Sequence, residues 1–76
     1  MNKDDQQILQ SFGKRLKSVR LEKNFTQEKL AFTIGVEISQ ISRIERGVIN
    51  TTVLTITKIA EALQIAPQEL FNSNIE

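Results

Sequence analysis

The chain has 76 residues, room for one small domain, and it contains neither cysteine nor histidine, so disulfides, cysteine-based metal sites and histidine-based catalysis are excluded. The net charge is only +1, but residues 14–46 hold eight lysines or arginines against four acids, whereas the rest of the chain holds two against five. No apolar run approaches the about 20 residues of a membrane span and no signal peptide is visible, so we expect a cytoplasmic protein without a membrane partner.

Hydrophobic periodicity predicts an all-α fold with five helices in a single domain. The predicted helices span residues 6–23, 27–34, 38–46, 53–63 and 67–71. Residues 1–6 are expected to fray. Asn24 is a suitable stop for the first helix because asparagine tolerates the left-handed conformation. Thr26 is a good N-cap for the second helix, and Gly47 ends the third.

The fourth segment carries conflicting signals. The sequence VLTIT, beginning at Val53, is rich in β-branched residues and alternates like a strand. A helix is nevertheless predicted, because Ile56, Ile59 and Leu63 continue a helical period beyond strand length. The last segment begins with Pro67, which favours the first position of a helix.

The segment 27–46 carries the most informative pattern. Leu30, Ala31 and Ile34 line one helix face, and Ile41 and Ile44 line another. A small residue such as alanine lets two crossing helices approach, and the glycine between the segments can take a positive φ in a sharp turn. Polar residues remain on the outer side of the later helix. This arrangement is typical of a helix-turn-helix that reads the DNA major groove.

With these elements in place, the chain resembles the lambdoid phage repressor and Cro-like family over residues 12–71. The resemblance rests on FGKRLKSVRLEKNFTQEKLA, ISRIERG and ITKIAEALQIAPQELF. It implies a compact, five-helix, lambda-repressor-like DNA-binding domain. The last of these sequences is most similar to restriction–modification controller proteins and other stand-alone bacterial regulators.

The family resemblance also implies roles for individual residues. Gln27 would donate to a DNA phosphate, while Ile38, Ser39 and Arg43 would reach base edges. The DNA-contacting set implied in this way is Thr26, Gln27, Glu37, Ile38, Ser39, Gln40, Ser42, Arg43, Arg46 and Asn50. Arginine bidentate to guanine is the commonest specific contact, although a surface arginine can instead pair with a neighbouring acid. Arg20 and Glu45 match a pair that commonly forms a structural salt bridge.

Three departures from the family pattern affect the expected DNA contacts. Glu37 replaces the usual serine, threonine or aspartate cap and would point toward the phosphate backbone. Ile38 replaces a polar base reader and can offer only apolar contact, for example to a thymine methyl group. Val48 and Ile49 replace loop residues that are often charged, which removes candidate phosphate donors.

The apolar residues near the C-terminus allow two interpretations. They are Ile65, Leu70, Phe71 and Ile75. These side chains either cap the core or form part of a dimer interface. A core this small is usually marginal, which favours an oligomer.

The leading functional hypothesis is a sequence-specific regulator of transcription that binds double-stranded DNA as a homodimer on a pseudo-palindrome. The alternative is an antitoxin-like or anti-repressor interaction module, which would not need the basic face. An enzyme is not expected, because no histidine, cysteine, tyrosine, tryptophan or glycine-rich phosphate loop is present, and no cofactor is expected. RNA polymerase remains a candidate partner, although no sequence feature marks a surface for it.

Overall fold

A computed structural model describes residues 2–71, which form four α-helices and one 3₁₀ helix and no β-strand. The elements are α1 Lys3–Glu22, α2 Gln27–Ile34, α3 Ile38–Arg46, α4 Val53–Leu63 and the 3₁₀ helix Pro67–Phe71. The all-helical prediction is therefore confirmed. Over the same residues, no helix combines the length and the apolar character that crossing a membrane would require.

The first helix begins earlier than the sequence predicted. Asn2 caps α1, because its Oδ1 accepts a hydrogen bond of 2.9 Å from the backbone N–H of Asp5. Asp4 and Asp5 lie in the first turn, where their charges interact favourably with the positive end of the helix dipole. The predicted start of the first helix at residue 6 is thus wrong, because α1 begins at Lys3.

The fifth predicted helix is a 3₁₀ helix and not an α-helix. The backbone N–H of Glu69 donates to the carbonyl of Ala66 at 3.0 Å, a spacing of three residues. A segment this short cannot offset the cost of α-helix nucleation with many internal bonds, so tertiary contact decides its form. Leu70 provides that contact and is fully buried.

The helical prediction for the fourth segment is confirmed, and burial explains why the strand-like signal did not prevail. Thr52 caps α4 by accepting a hydrogen bond of 3.1 Å from the backbone N–H of Thr55. Ile59 and Leu63 are buried in the core, whereas Val53 is exposed. Ala60 is buried as well. A strand would place the neighbours Ile59 and Ala60 on opposite faces, whereas a helix places both on one face with Leu63, so the burial of that face outweighs the local β-propensity.

A close backbone approach between α1 and α3 involves a residue that periodicity did not single out. Gly13 lies in α1 against the end of α3, and a Cβ atom there would fall 2.5 Å from the Ile44 carbonyl oxygen and closer still to that of Glu45. Gly47 ends α3 with φ +73°, and a Cβ there would lie 2.6 Å from Gln10 Cα. Two glycines therefore let α1 hold the C-terminal end of α3 at backbone contact.

Candidate nucleic-acid interface

The two sides of α3 have different surroundings. Ile41 and Ile44 are buried on the inner side and pack in the core. The outer side carries Ile38, which is 48% exposed, and the exposed residues Ser39 and Arg43. Gln40 and Ser42 are half-buried between the two sides. The polar outer side expected from the sequence is thus present, with Ile38 as an apolar member.

A buried hydrogen-bonded pair fixes α3 to α1. Arg20 Nε lies 2.6 Å from Glu45 Oε2, and Arg20 Nη2 donates to Glu45 Oε1 at 3.0 Å. A third nitrogen of the guanidinium, Nη1, donates to the carbonyl of Phe25 at 2.7 Å. The two-point contact matches the planar fork of arginine to the carboxylate, so it sets the orientation of α3 as well as its distance from α1.

Gln27 joins this network from the first turn of α2. Its Nε2 donates to Glu45 Oε1 at 2.9 Å, and the side chain is half-buried. The sequence had assigned Gln27 only a contact with DNA phosphate. The intramolecular bond leaves one of the two carboxamide hydrogens for any further acceptor.

The two helices of the motif begin differently. Thr26 caps α2, because its Oγ1 accepts a hydrogen bond of 2.9 Å from the backbone N–H of Lys29. Glu37 occupies the N-cap position of α3, and its side chain makes no capping hydrogen bond. Between them, Gly35 takes φ +79°, which supplies the sharp turn. Glu37 is exposed, and the first turn of α3 receives no side-chain hydrogen bond from it.

The arginines of α3 carry positive charge without an acidic partner. Arg43 and Arg46 are both exposed in its last turn. Within residues 2–71, the one salt bridge is that between Arg20 and Glu45. By contrast, Arg15 of α1 donates from Nε to the carbonyl of Glu69 at 2.7 Å and so ties down the 3₁₀ helix. The guanidinium groups of α3 are therefore open to an external acceptor.

Asn50 lies apart from the other predicted contact residues. It is exposed in the loop after α3 and lines a cleft of about 190 Å³ with Asp5, Ile8 and Leu9. A carboxylate in the same cleft opposes the approach of a phosphate. The structural support for phosphate contact is thus weaker at Asn50 than at Arg46.

The predicted interface residues near the C-terminus divide into different classes. Leu70 is fully buried between α1 and α4, so its assignment to a dimer interface is wrong: no surface of it remains for a partner. Ile65 is half-buried against the core. Phe71 is 58% exposed, and its ring centroid lies 5.1 Å from that of Phe12. Ile75 lies outside the described residues.

Comparisons with known proteins point to one family. The helix-turn-helix family profile matches residues 16–70. Control protein C.BamHI of Bacillus amyloliquefaciens is 42% identical over 62 residues, which cover 80% of this chain and 76% of the relative. The HTH-type transcriptional repressor RghR of Bacillus subtilis (strain 168) is 45% identical over 60 residues, covering 75% of this chain and 43% of the repressor.

A solved structure supports the same conclusion. The crystal structure of the restriction–modification controller protein C.AhdI from Aeromonas hydrophila superposes with a TM-score of 0.81 and 44% sequence identity, covering 83% of this chain and 96% of the controller. The resemblance drawn from the sequence is confirmed. The chain belongs to the helix-turn-helix family of Cro/C1 type, a family of DNA-binding transcriptional regulators that includes restriction–modification controller proteins among its close relatives.

Proposed function

We propose that this protein is a sequence-specific regulator of transcription that places the outer side of α3 in the major groove of double-stranded DNA. The observation that carries the proposal is the contrast across α3: its inner side is fixed by the core and by Glu45, while Arg43 and Arg46 extend outward without an acidic partner among residues 2–71. A rigidly held helix with unpaired donors is suited to base recognition.

The contacts within each half-site follow from side-chain chemistry. Arg43 reads guanine with two hydrogen bonds, Ser39 contacts a neighbouring base, and Ile38 packs against a pyrimidine methyl group. The half-buried residues Gln40 and Ser42 flank these contacts. The phosphate-binding residues are Thr26, Gln27, Arg46 and Asn50. Glu37 lies at the groove edge and either repels phosphate or accepts a hydrogen bond from cytosine N4.

The exposed apolar surface near the C-terminus supports assembly as a homodimer. Phe71 and Ile8 are exposed beside a groove of about 400 Å³ that Phe12 also lines. Covering this surface with a second copy would remove apolar area from water. The two copies would then bring their α3 helices into adjacent major grooves, about 34 Å apart, on a pseudo-palindromic site.

Selection of bound duplexes from a random DNA library tests the proposed function. We expect enrichment of a pseudo-palindrome whose half-site centres lie about 10 base pairs apart. Affinity for the selected site should fall as salt concentration rises, because phosphate contacts release counterions. Failure to enrich any sequence, together with the absence of salt-sensitive retention on heparin, would instead support the protein-interaction module.

Sedimentation of two phenylalanine variants tests the dimer. Phe71→Asp should shift the protein toward a monomer at micromolar concentration. Phe32→Asp is a matched control, because Phe32 is 87% exposed on α2, away from the proposed interface. A thermal unfolding measurement on each variant tests whether a change in mass comes from dissociation of the dimer or from unfolding. If both variants keep the wild-type mass, the interface is elsewhere.

A further inference from the structure

We propose that Glu45 is a positioning residue for DNA binding, because its buried carboxylate orients the carboxamide of Gln27 so that one N–H stays free for a phosphate oxygen. The inference rests on the proposed function for the phosphate. It goes further by linking the ion pair that supports α3 to a specific contact at the start of α2.

The carboxylate is the fixed partner in this contact. Glu45 accepts two hydrogen bonds from Arg20, at 2.6 and 3.0 Å, and the side chains of the two residues are 4% and 7% exposed. Arg20 is held in turn by the carbonyl of Phe25. Since Glu45 is anchored at both oxygens, the half-buried side chain of Gln27 must adapt to it, and not the reverse.

The chemistry of the carboxamide makes this orientation selective. A glutamine side chain has two N–H donors on one atom and an acceptor oxygen on the other. With Nε2 toward Glu45, one hydrogen is engaged at 2.9 Å and the second remains. Rotation of the amide by half a turn would place Gln27 Oε1 against a carboxylate oxygen, so that two acceptors would face each other without a proton. The carboxylate therefore disfavours the rotated form.

The consequence for binding is preorganisation. A free glutamine loses rotamer freedom when it contacts a ligand, and this loss weakens binding. In this protein the ordering occurs during folding, through a bond that lies entirely within the chain. The effect also couples recognition to the scaffold, because the same carboxylate sits at the C-terminal end of α3 and contacts the first residue of α2.

Side-chain NMR on the unmodified protein provides the first test and does not depend on any variant. The Nε2 hydrogens of Gln27 should show order parameters close to those of the backbone. Gln10 and Gln68, which are exposed on α1 and the 3₁₀ helix, serve as internal controls and should be mobile. Motion at Gln27 equal to that of the controls would overturn the proposal.

A double-mutant cycle on DNA affinity provides the second test. When Gln27 is present, the folded molecules of the Glu45→Ala variant should bind DNA about two- to tenfold more weakly than wild type, the range expected for one lost hydrogen bond. It should have little further effect in the Gln27→Ala background. Arg20→Lys is the control, because it perturbs the ion pair and leaves the Glu45–Gln27 bond in place. Equal losses in both backgrounds would show that Glu45 acts only through the scaffold.

The remaining outcomes are also distinguishable. If Glu45→Ala does not fold, the order parameters of the unmodified protein decide whether Gln27 is held. If the wild-type protein binds no duplex while Gln27 is rigid, the proposed function fails and the orientation of Gln27 by Glu45 is supported. If the protein binds DNA and Gln27→Ala binds equally well, the phosphate contact is refuted.

Discussion

The inner and outer sides of α3 belong to one helix of nine residues, but they differ in their contacts. Side chains on the inner side contact other parts of the protein, whereas those on the outer side are exposed. On the inner side, Ile41 and Ile44 are buried, and the carboxylate of Glu45 is satisfied by groups from two other segments of the chain. On the outer side, Arg43 is exposed and forms no salt bridge within residues 2–71. The inner side therefore determines stability and orientation, while the outer side remains free for recognition.

This division leads to a general expectation for substitutions. A change on the inner side should lower the free energy of unfolding and should alter DNA binding only through the folded fraction or through Gln27. A change on the outer side should alter affinity or sequence preference, with stability within about 0.5 kcal/mol of wild type. The following substitutions probe each side.

The largest effect is expected from Glu45→Ala. Removing the carboxylate leaves the guanidinium of Arg20 buried without its partner, which should lower the free energy of unfolding by about 3–5 kcal/mol. Chemical denaturation of both single variants and the Arg20→Ala/Glu45→Ala double variant measures the coupling. Additive effects would contradict the buried pair and with it the assignment of the inner side to stability.

A slightly smaller loss is expected from Gly13→Ala. The new methyl group would meet the carbonyls of Ile44 and Glu45, which are backbone atoms and cannot rotate away. We expect a cost of about 3 kcal/mol, at the upper end for overpacking, although alanine is normally the better helix former. Gly35→Ala is the matched control. A Cβ atom built on Gly35 meets no heavy atom within 4 Å beyond its chain neighbours, so only the φ of +79° is penalised, by about 1–2 kcal/mol. Equal thermal stability of the two variants would argue against backbone contact at Gly13.

On the outer side, Arg43→Ala should weaken binding to the selected site by about 1–3 kcal/mol and relax the preference at one base pair per half-site. Its denaturation midpoint should remain at the wild-type value. Arg46→Ala is the comparison, because loss of a phosphate contact weakens all sequences equally and lowers the salt slope by about one. Repeating the library selection with each variant distinguishes base readout from phosphate contact. An unchanged preference for Arg43→Ala would refute its role in readout.

Ile38 should make a smaller contribution that depends on a methyl group. Ile38→Ala should reduce affinity by about 1 kcal/mol at a site carrying thymine in the facing position, the amount expected for burial of about one methylene equivalent. Replacing that thymine with uracil should cause a similar loss for wild type and little loss for the variant. Affinity measurements on the four combinations test this. Equal sensitivity of both proteins to uracil would exclude a contact between Ile38 and the methyl group.

The smallest effect is expected from Glu37→Ser, at the boundary between the two sides. Serine can cap α3, which should raise the free energy of unfolding by about 1 kcal/mol. If Glu37 repels phosphate, affinity for random DNA should rise and the selected site should stay the same. If it reads cytosine, the site should change at one position and affinity for the original site should fall. No change in either quantity would mean that the residue points away from DNA.

Local patterns in the sequence were sufficient to predict the motif helices and the fourth helix. Apolar residues at spacings of three and four predicted α2, α3 and α4 at the bounds that the structure has. Thr26 caps α2 as predicted, and Thr52 caps α4 in the same way. Helix bounds and caps depend on residues within one or two helical turns of each other, so they can be predicted from the sequence without knowing how the helices pack.

What only the tertiary structure decided depends on segments far apart in the chain. Gly13 matters because α3 crosses α1 at that residue, and Leu70 is unavailable to a partner because α1 and α4 enclose it. Gln27 meets Glu45 across 18 residues of sequence. Periodicity identifies which face of a helix is buried, but it does not identify the backbone or side chain that each residue will meet. That choice is made when the helices pack, since close contact and hydrogen bonding depend on their relative positions in space.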